Sequence, residues 1–119
     1  MWHPIYNDDE VVGFAMMAID KLDEDYFLYT EFGDKTCYEL YRFMIDKKHQ
    51  GKGFAKAAMM KIIEFLRSCP QGKADSIYLS YAMANETARK LFTSVGFVET
   101  EHVYTENDKV PCMVARFAL

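Results

Sequence analysis

Between Thr36 and Met83 the chain reads as strand, glycine turn, helix, breaker and strand, and this order constrains the fold more than any other feature. "TCYELYRFMID" is rich in aromatic and branched residues and too short for a good helix, so it reads as a central strand ending near Asp46. In "DKKHQGKGFAKAAMMKIIEFLR" the residues Ala55, Ala58, Met59, Ile62, Phe65 and Leu66 recur at three- and four-residue spacing. Lys52, Lys56, Lys61, Glu64 and Arg67 fall mostly on the other side, which is the pattern of an amphipathic helix. "CPQGK" ends that helix with Pro70 and Gly72, and "SIYLSYAM" is the next strand. Two strands of one sheet joined through a helix run parallel, with a right-handed crossover.

The flanks add hairpins. His3–Tyr6 and Val11–Ile19 read as strands around a polar turn at Asn7 to Glu10. "DKLDEDYFLYTEFGDK" holds Asp20, Asp23, Glu24, Asp25, Glu31 and Asp34, and reads as an exposed loop or irregular strand with a turn at Gly33. "ANETARKLFTSVGF" is a helix with Asn85 as N-cap, Ala88, Leu91, Phe92 and Val95 inward, and Gly96 as its stop. "FVETEHVYTENDKVPCMVARFAL" is a hairpin turning at Glu106 to Asp108. The expected fold is therefore α/β (α+β), of order β-β-β-α-β-α-β-β. Its sheet is mixed and mostly antiparallel around a central parallel crossover, and residues 1–119 form a single domain.

Charge narrows the function. The net charge is -4, yet Lys47, Lys48, Lys52, Lys56 and Lys61 follow one another with no carboxylate between, so the remainder carries -9. A local positive patch on a negative body fits one compact anionic ligand and argues against nucleic acid, whose footprint spreads basic charge over a face. Gly51 and Gly53 stand where the turn becomes the helix. A helix start offers unpaired N–H groups and a partial positive charge, and glycine lets a phosphate approach the backbone. A solvated basic turn is the other reading of the same residues. A Walker loop is absent, and "GKGFAK" has Lys56 where a dinucleotide fingerprint needs its last glycine.

Cys37, Cys69 and Cys112 are odd in number and widely spaced, with no CxxC or His-x-x-x-His pattern, and read as buried reduced thiols with no metal site. There is no signal peptide and no apolar run of spanning length, which points to the cytoplasm and away from a membrane. His49 stands beside the glycine turn as a candidate phosphate contact or a solvated turn residue. His3 and His102 read as structural, and the eight methionines as core filler.

Two motifs carry a family resemblance. Gln50, Gly53 and Ala55 match [Gln/Arg]-x-x-Gly-x-[Gly/Ala], the coenzyme A pyrophosphate loop of the GNAT family of N-acetyltransferases. "NETARKLFTSVGF" resembles that family's Asn-x-x-Ala-x-x-Leu-[Tyr/Phe]-x-x-x-Gly-Phe, and "VVGFAM" and "RFMID" look like its third and fourth strands. The chain is most similar to the diamine, or spermidine/spermine, acetyltransferase branch over nearly its whole length. The resemblance implies acetyl-CoA as co-substrate, with backbone amides from Gln50 through Gly51, Lys52, Gly53, Phe54 to Ala55 holding the pyrophosphate. It implies that Phe43, Met44 and Ile45 pair with the pantetheine arm, that Asn85 touches that arm or its thioester end, and that Lys47, Lys48, Lys52 and Lys56 face the phosphates. Phe92 would border the same site.

The sequence departs from the pattern in three places. The family's first strand and its one or two helices, which often shape the amine pocket, have no counterpart before Met1. That leaves apolar sheet surface and an open edge, and so an expected homodimer. The tyrosine that commonly serves as general acid is Phe92, which cannot protonate a thiolate, and the acidic residue before "RF" is Tyr41. Glu39 lies two residues earlier on the same strand face and is the candidate substitute base, with Tyr41 and Asn85 beside it. The function expected is acetyl transfer to a small amine, a polyamine or diamine, from which the acidic residues 20–34 would draw a polycation. A coenzyme A-binding regulatory module without catalysis, and a protein or N-terminal acetyltransferase, are the alternatives.

Overall fold

The computed structural model describes residues 2–106 and 110–119. Six strands form one sheet in the order β1-β2-β3-β4-β6-β5. They are β1 Trp2–Asn7, β2 Glu10–Lys21, β3 Thr36–Ile45, β4 Ser76–Ala82, β5 Val98–Glu106 and β6 Val110–Ala118. The helices are α1 Phe27–Phe32, α2 Phe54–Arg67 and α3 Glu86–Ser94. Among the strands of the described residues, β3 and β4 run parallel and the other neighbours pair antiparallel, as the crossover and the two hairpins require. Of the turn expected at Glu106 to Asp108, Glu106 is the last residue of β5 and 107–108 lie outside the described residues.

Helices α2 and α3 cover one face of the sheet. Met59, Ile62, Ile63 and Leu66 of α2 join Met17, Tyr38, Leu40, Ile77, Leu79 and Phe92 in one buried cluster. Ile63 is buried where the sequence pattern favours Phe65, which is 38% exposed and instead carries the His3 ring edge-on at 5.1 Å. Asn85 caps α3 as its sequence indicates, its Oδ1 accepting the Ala88 N–H at 3.1 Å.

The acidic segment is the main correction. Residues 27–32 form a helix that closes with Gly33 in the left-handed region at φ 74°. Helix α1 packs on the opposite sheet face, because Leu28 is fully buried and Asp34 is only 2% exposed. Asp34 accepts two hydrogen bonds from Arg116, at 2.7 and 2.9 Å, and one from Ser76 at 2.6 Å. Glu31 meets His102 Nε2 at 2.9 Å, and the Phe27 and His102 rings stack at 4.0 Å. Neither Asp34 nor Glu31 is therefore free to attract a polycation, and His102 is not isolated. Of the cysteines only Cys37 is buried; Cys69 is exposed and Cys112 intermediate, all three being free thiols. No helix among the described residues is long and apolar enough to cross a membrane.

Candidate functional site

The parallel ladder is short. β3 and β4 pair only at Cys37 with Ser76, Tyr38 with Ile77 and Glu39 with Tyr78. Beyond those pairs β3 continues to Ile45 and β4 to Ala82, and the strands separate. A cleft of about 760 Å³ opens between them, lined by Leu40–Ile45 of β3, Leu79–Ala82 of β4, the turn before α2, and Asn85, Ala88, Leu91 and Phe92 of α3. It lies at the carboxyl ends of parallel strands, the usual crevice of a doubly connected sheet. Separation leaves backbone N–H and C=O groups on the facing edges without ladder partners, which an extended ligand can satisfy.

A bulge shapes the β3 wall. Met16 and Met17 of β2 face Arg42 and Leu40, so Tyr41 is an extra residue in β3. The bulge shifts the alternation. Before it Tyr38 and Leu40 face the helices; after it Phe43 does, while Met44 is 57% exposed. Met44 therefore meets the cleft through its main chain, with its side chain on the opposite sheet face in register with Phe14.

At the basic end, a 3₁₀ turn at Lys47–His49 leads into Gln50, whose Nε2 donates to the Ile45 carbonyl at 2.9 Å. Gly51 and Gly53 have φ of 79° and 81°, a conformation side chains other than glycine rarely adopt. Gly53 is the N-cap of α2, with no side-chain cap and no acidic residue in the first turn. The first helical bond runs from the Ala57 N–H to the Gly53 carbonyl at 3.3 Å, so the amides just before it point out of the helix unpaired. Gln50, Gly51, Gly53, Phe54 and Ala55 line the cleft. Lys47, Lys48, Lys52 and Lys56 are exposed and line none of it, so their effect there is a field rather than a contact. His49, expected as a solvated residue or phosphate contact, is buried rather than solvated and lines the cleft, with its Nε2 2.7 Å from Glu10 Oε1.

At the other end, Phe92 is 7% exposed. It stacks on Tyr81 at 5.7 Å and meets Phe43 and Phe97 edge-on at 6.3 and 6.0 Å. It is both core residue and cleft wall. Tyr81 shows its ring to the cleft, but Glu99, Arg89 and Glu86 are the charges around its hydroxyl. Burial first, and then the Glu99 carboxylate, pushes that phenol up to about 12. Tyr41 is 46% exposed, lines the cleft and donates to Asp20 Oδ2 at 3.2 Å. Burial, then Glu39 and Asp20, raises its pKa above that of a free tyrosine. Glu39 lies beneath, half-buried on an interior strand rather than an exposed edge, and is not among the residues that line the cleft. Asn85 lines the cleft and uses its carbonyl oxygen on the helix cap.

Leu40, Leu79, Ser80, Tyr81 and Thr87 also line the cleft and escaped the motif reading. The signal for the strand residues was present, since a parallel pair places the carboxyl ends of both strands at one crevice.

Comparison with known proteins gives the family. The profile of the Acetyltransferase (GNAT) family matches residues 1–97. A probable spermine N(1)-acetyltransferase of Bacillus subtilis subsp. natto is 34% identical over 94 residues, covering 78% of this chain and 56% of that protein. The spermine/spermidine N(1)-acetyltransferase of Bacillus subtilis is 33% identical with the same coverage. The chain thus spans about 56% of the length of these relatives. Among solved structures, spermidine N-acetyltransferase from Vibrio cholerae in complex with CoA and spermine superposes with a TM-score of 0.68 at 20% identity, covering 94% of this chain and 60% of that one. Arabidopsis thaliana NAA60 in complex with acetyl-CoA gives 0.73 at 16% identity, covering 93% and 67%. With a strand pair that splits over a cleft, an uncapped helix start behind Gln50–Ala55 and a family profile over most of its length, the chain belongs to the GNAT acetyltransferase family.

Proposed function

We propose that this chain is an acetyl-CoA-dependent N-acetyltransferase whose acceptor is a small primary amine, a polyamine or diamine. The observation that carries the reading is the convergence of two motifs on one cleft: the glycine turn with its uncapped α2 start at one end, and Asn85 and Phe92 of α3 at the other. In this reading the amides of Gln50 to Ala55 hold the pyrophosphate, and the lysines of the turn attract it. The main-chain groups of Phe43–Ile45 that face away from β2 bind the pantetheine arm in place of the missing β4 partner, and Asn85 and Phe92 border the thioester. Acetyl-CoA supplies the acetyl thioester; the amine nitrogen bonds to its carbonyl carbon, the C–S bond breaks, and the amine proton passes through water to the Glu39 carboxylate, with Tyr41 as a neutral hydrogen-bonding phenol on the way. The three free thiols and the metabolite substrate fit a cytoplasmic enzyme.

Magnitudes favour catalysis despite Phe92. Deprotonating an alkyl amine of pKa about 10.4 at pH 7 costs roughly 4–5 kcal/mol. A positioned acid or base gives about 10²–10⁴-fold, whereas holding two reactants in line is worth about 10⁵–10⁸ M. Without a phenol at position 92, water protonates the leaving thiolate, which slows the reaction without ending it. The second reading is a coenzyme A-binding module, and Phe92 and Tyr41 in the places of acid and base favour it. Mass spectrometry of acetyl-CoA incubated with spermidine, putrescine and peptide acceptors decides. Acetylated amine is expected; bound acetyl-CoA with no acetylated product from any acceptor would leave the binding module standing.

A further inference from the structure

His49 is the one buried residue from Asp46 to Gly53, a stretch otherwise open to solvent. Its N–H donates to the Asp46 carbonyl at 2.8 Å, and the Gln50 N–H donates to the Lys47 carbonyl at 3.3 Å. Its ring meets Phe54, the first residue of α2, edge-on at 5.9 Å. Its Nε2 is shut off from solvent and lies 2.7 Å from Oε1 of Glu10, the first residue of β2. The two atoms meet without the alignment of a straight hydrogen bond, so the attraction is mainly electrostatic. Glu10 has a fixed place. It pairs with Asn7 to close the β1–β2 hairpin, and the nearby Val12 carbonyl accepts the Asp46 N–H at 2.7 Å. A side chain at Gly13 would collide with the Met44 carbonyl, so β2 lies against the end of β3 with no room to slide. Among the described residues Glu10 has no other ion-pair partner.

We propose that Glu10 and His49 form a clasp that positions the phosphate-binding turn, so that acetyl-CoA affinity depends on the β1–β2 hairpin behind it. Gly51 and Gly53 supply the conformation of the turn but nothing that holds it: a Cβ at either would meet no atom within 4 Å. The turn therefore takes its position from its two ends. One end is Gln50, whose Nε2 donates to the Ile45 carbonyl at 2.9 Å; the other is Phe54, whose ring rests on His49. His49 bears on both, being next to Gln50 in the chain and against Phe54 in space. Holding its Nε2 toward Glu10 keeps the imidazole against Phe54 and fixes the 3₁₀ turn that leads into Gln50. The amides of residues 50–55 then converge before a ligand arrives, and less ordering is left for binding to supply. Glu10 does not line the cleft, so its effect on the cofactor passes through His49, and it is a positioning residue. The coupling is reciprocal: a ligand that orders the turn steadies the hairpin by the same free energy. The inference rests on the acetyltransferase reading for its ligand, but the clasp is also read from the chain alone.

Hydrogen exchange and calorimetry on the full chain test it. Glu10→Gln keeps the size of the side chain and removes its charge; His49→Phe keeps a ring against Phe54 and removes the nitrogens. In the chain alone, the His49 and Gln50 amides exchange severalfold faster in Glu10→Gln than in wild type. Each single variant weakens acetyl-CoA about fivefold or more, and the double variant loses no more than the weaker-binding single, because both changes remove one interaction. In turnover the KM for acetyl-CoA rises, while the KM for the amine and kcat at saturating cofactor stay within about twofold. Coenzyme A slows exchange at residues 10–12 in wild type and not in Glu10→Gln, a response that lost stability alone would not remove. Where His49→Phe does not fold, Glu10→Gln decides, since that side chain is 58% exposed. Exchange unchanged in Glu10→Gln, acetyl-CoA affinity unchanged from a wild type that binds it, or losses that multiply in the double variant overturn the clasp. A wild type that binds no acetyl-CoA but shows the exchange contrast keeps the clasp and sinks the acetyltransferase reading.

Discussion

Arg116→Met is the sharpest test of how α1 is held. Arg116 lies on β6, donates to both oxygens of Asp34 at 2.7 and 2.9 Å, and stacks its guanidinium over Phe32 at 4.6 Å. Methionine keeps the length and apolar contact of the side chain but removes both donors. Asp34, 2% exposed, is then left as a buried carboxylate with the Ser76 hydroxyl at 2.6 Å as its remaining side-chain partner. Breaking one side of such a pair costs about 3–5 kcal/mol. Against a total stability of about 5–15 kcal/mol, that removes about a fifth or more. At about 4 °C per kcal/mol for a domain of this size, Tm falls by about 12–20 °C. Urea unfolding followed by circular dichroism measures it, and Asp34→Asn/Arg116→Met should recover a large part by removing the stranded charge. A single variant within 1 kcal/mol of wild type, or a double variant no better than the single, refutes the reasoning.

Phe92→Tyr adds one hydroxyl at the cleft wall with little change in volume; turnover should rise about 10-fold if general-acid catalysis is recovered, with acetyl-CoA affinity unchanged, and equal rates would show that thiolate protonation is not limiting. Gly53→Val places a β-branched residue at φ 81°, and calorimetry should show acetyl-CoA binding weakened about 10-fold or more; unchanged affinity would remove this turn from the site. Asp75 has its pKa lowered by N–H bonds from Lys35 at 2.8 Å and Thr36 at 3.3 Å. Its contribution is present above the unfolded value of about 3.9 and lost as pH falls through the folded value, so the stability gap between wild type and Asp75→Asn should close below about pH 4 in urea titrations. The open β1 edge and the exposed Trp2, Phe14 and Met44 lead us to expect a homodimer by light scattering at tens of micromolar, which a clean monomer would contradict.

The crossover and both motif helices were legible because each rests on local signals: period, breakers, and the caps Asn85 and Gly53. Helix α1 was not. Its six residues, Phe27–Phe32, are too few to show a period, and the acids around them suggest solvent. What orders it is Arg116, 82 positions from Asp34, and no local pattern announces that partner. The strand separation and the bulge at Tyr41 were hidden for the same reason. Both are relations between strands, and a one-residue shift in register changes which side chains reach the cleft. The glycines of the turn were visible, whereas the solvent placement of Lys47 and Lys48 depends on the path of the 3₁₀ turn.

Three ladder pairs join the half-sheet β1-β2-β3 to the half-sheet β4-β6-β5. The joint resembles a zip fastened only at its lower end, with α2 as the strap across it. Amides of β3 above Glu39 that face β4 should exchange with solvent far faster than those bonded to β2, giving a two-rate pattern along a single strand in hydrogen exchange. An extended molecule laid in the gap closes the zip and slows the fast set. The increment in protection, read residue by residue from Leu40 to Ile45, maps how far along the strand that molecule reaches.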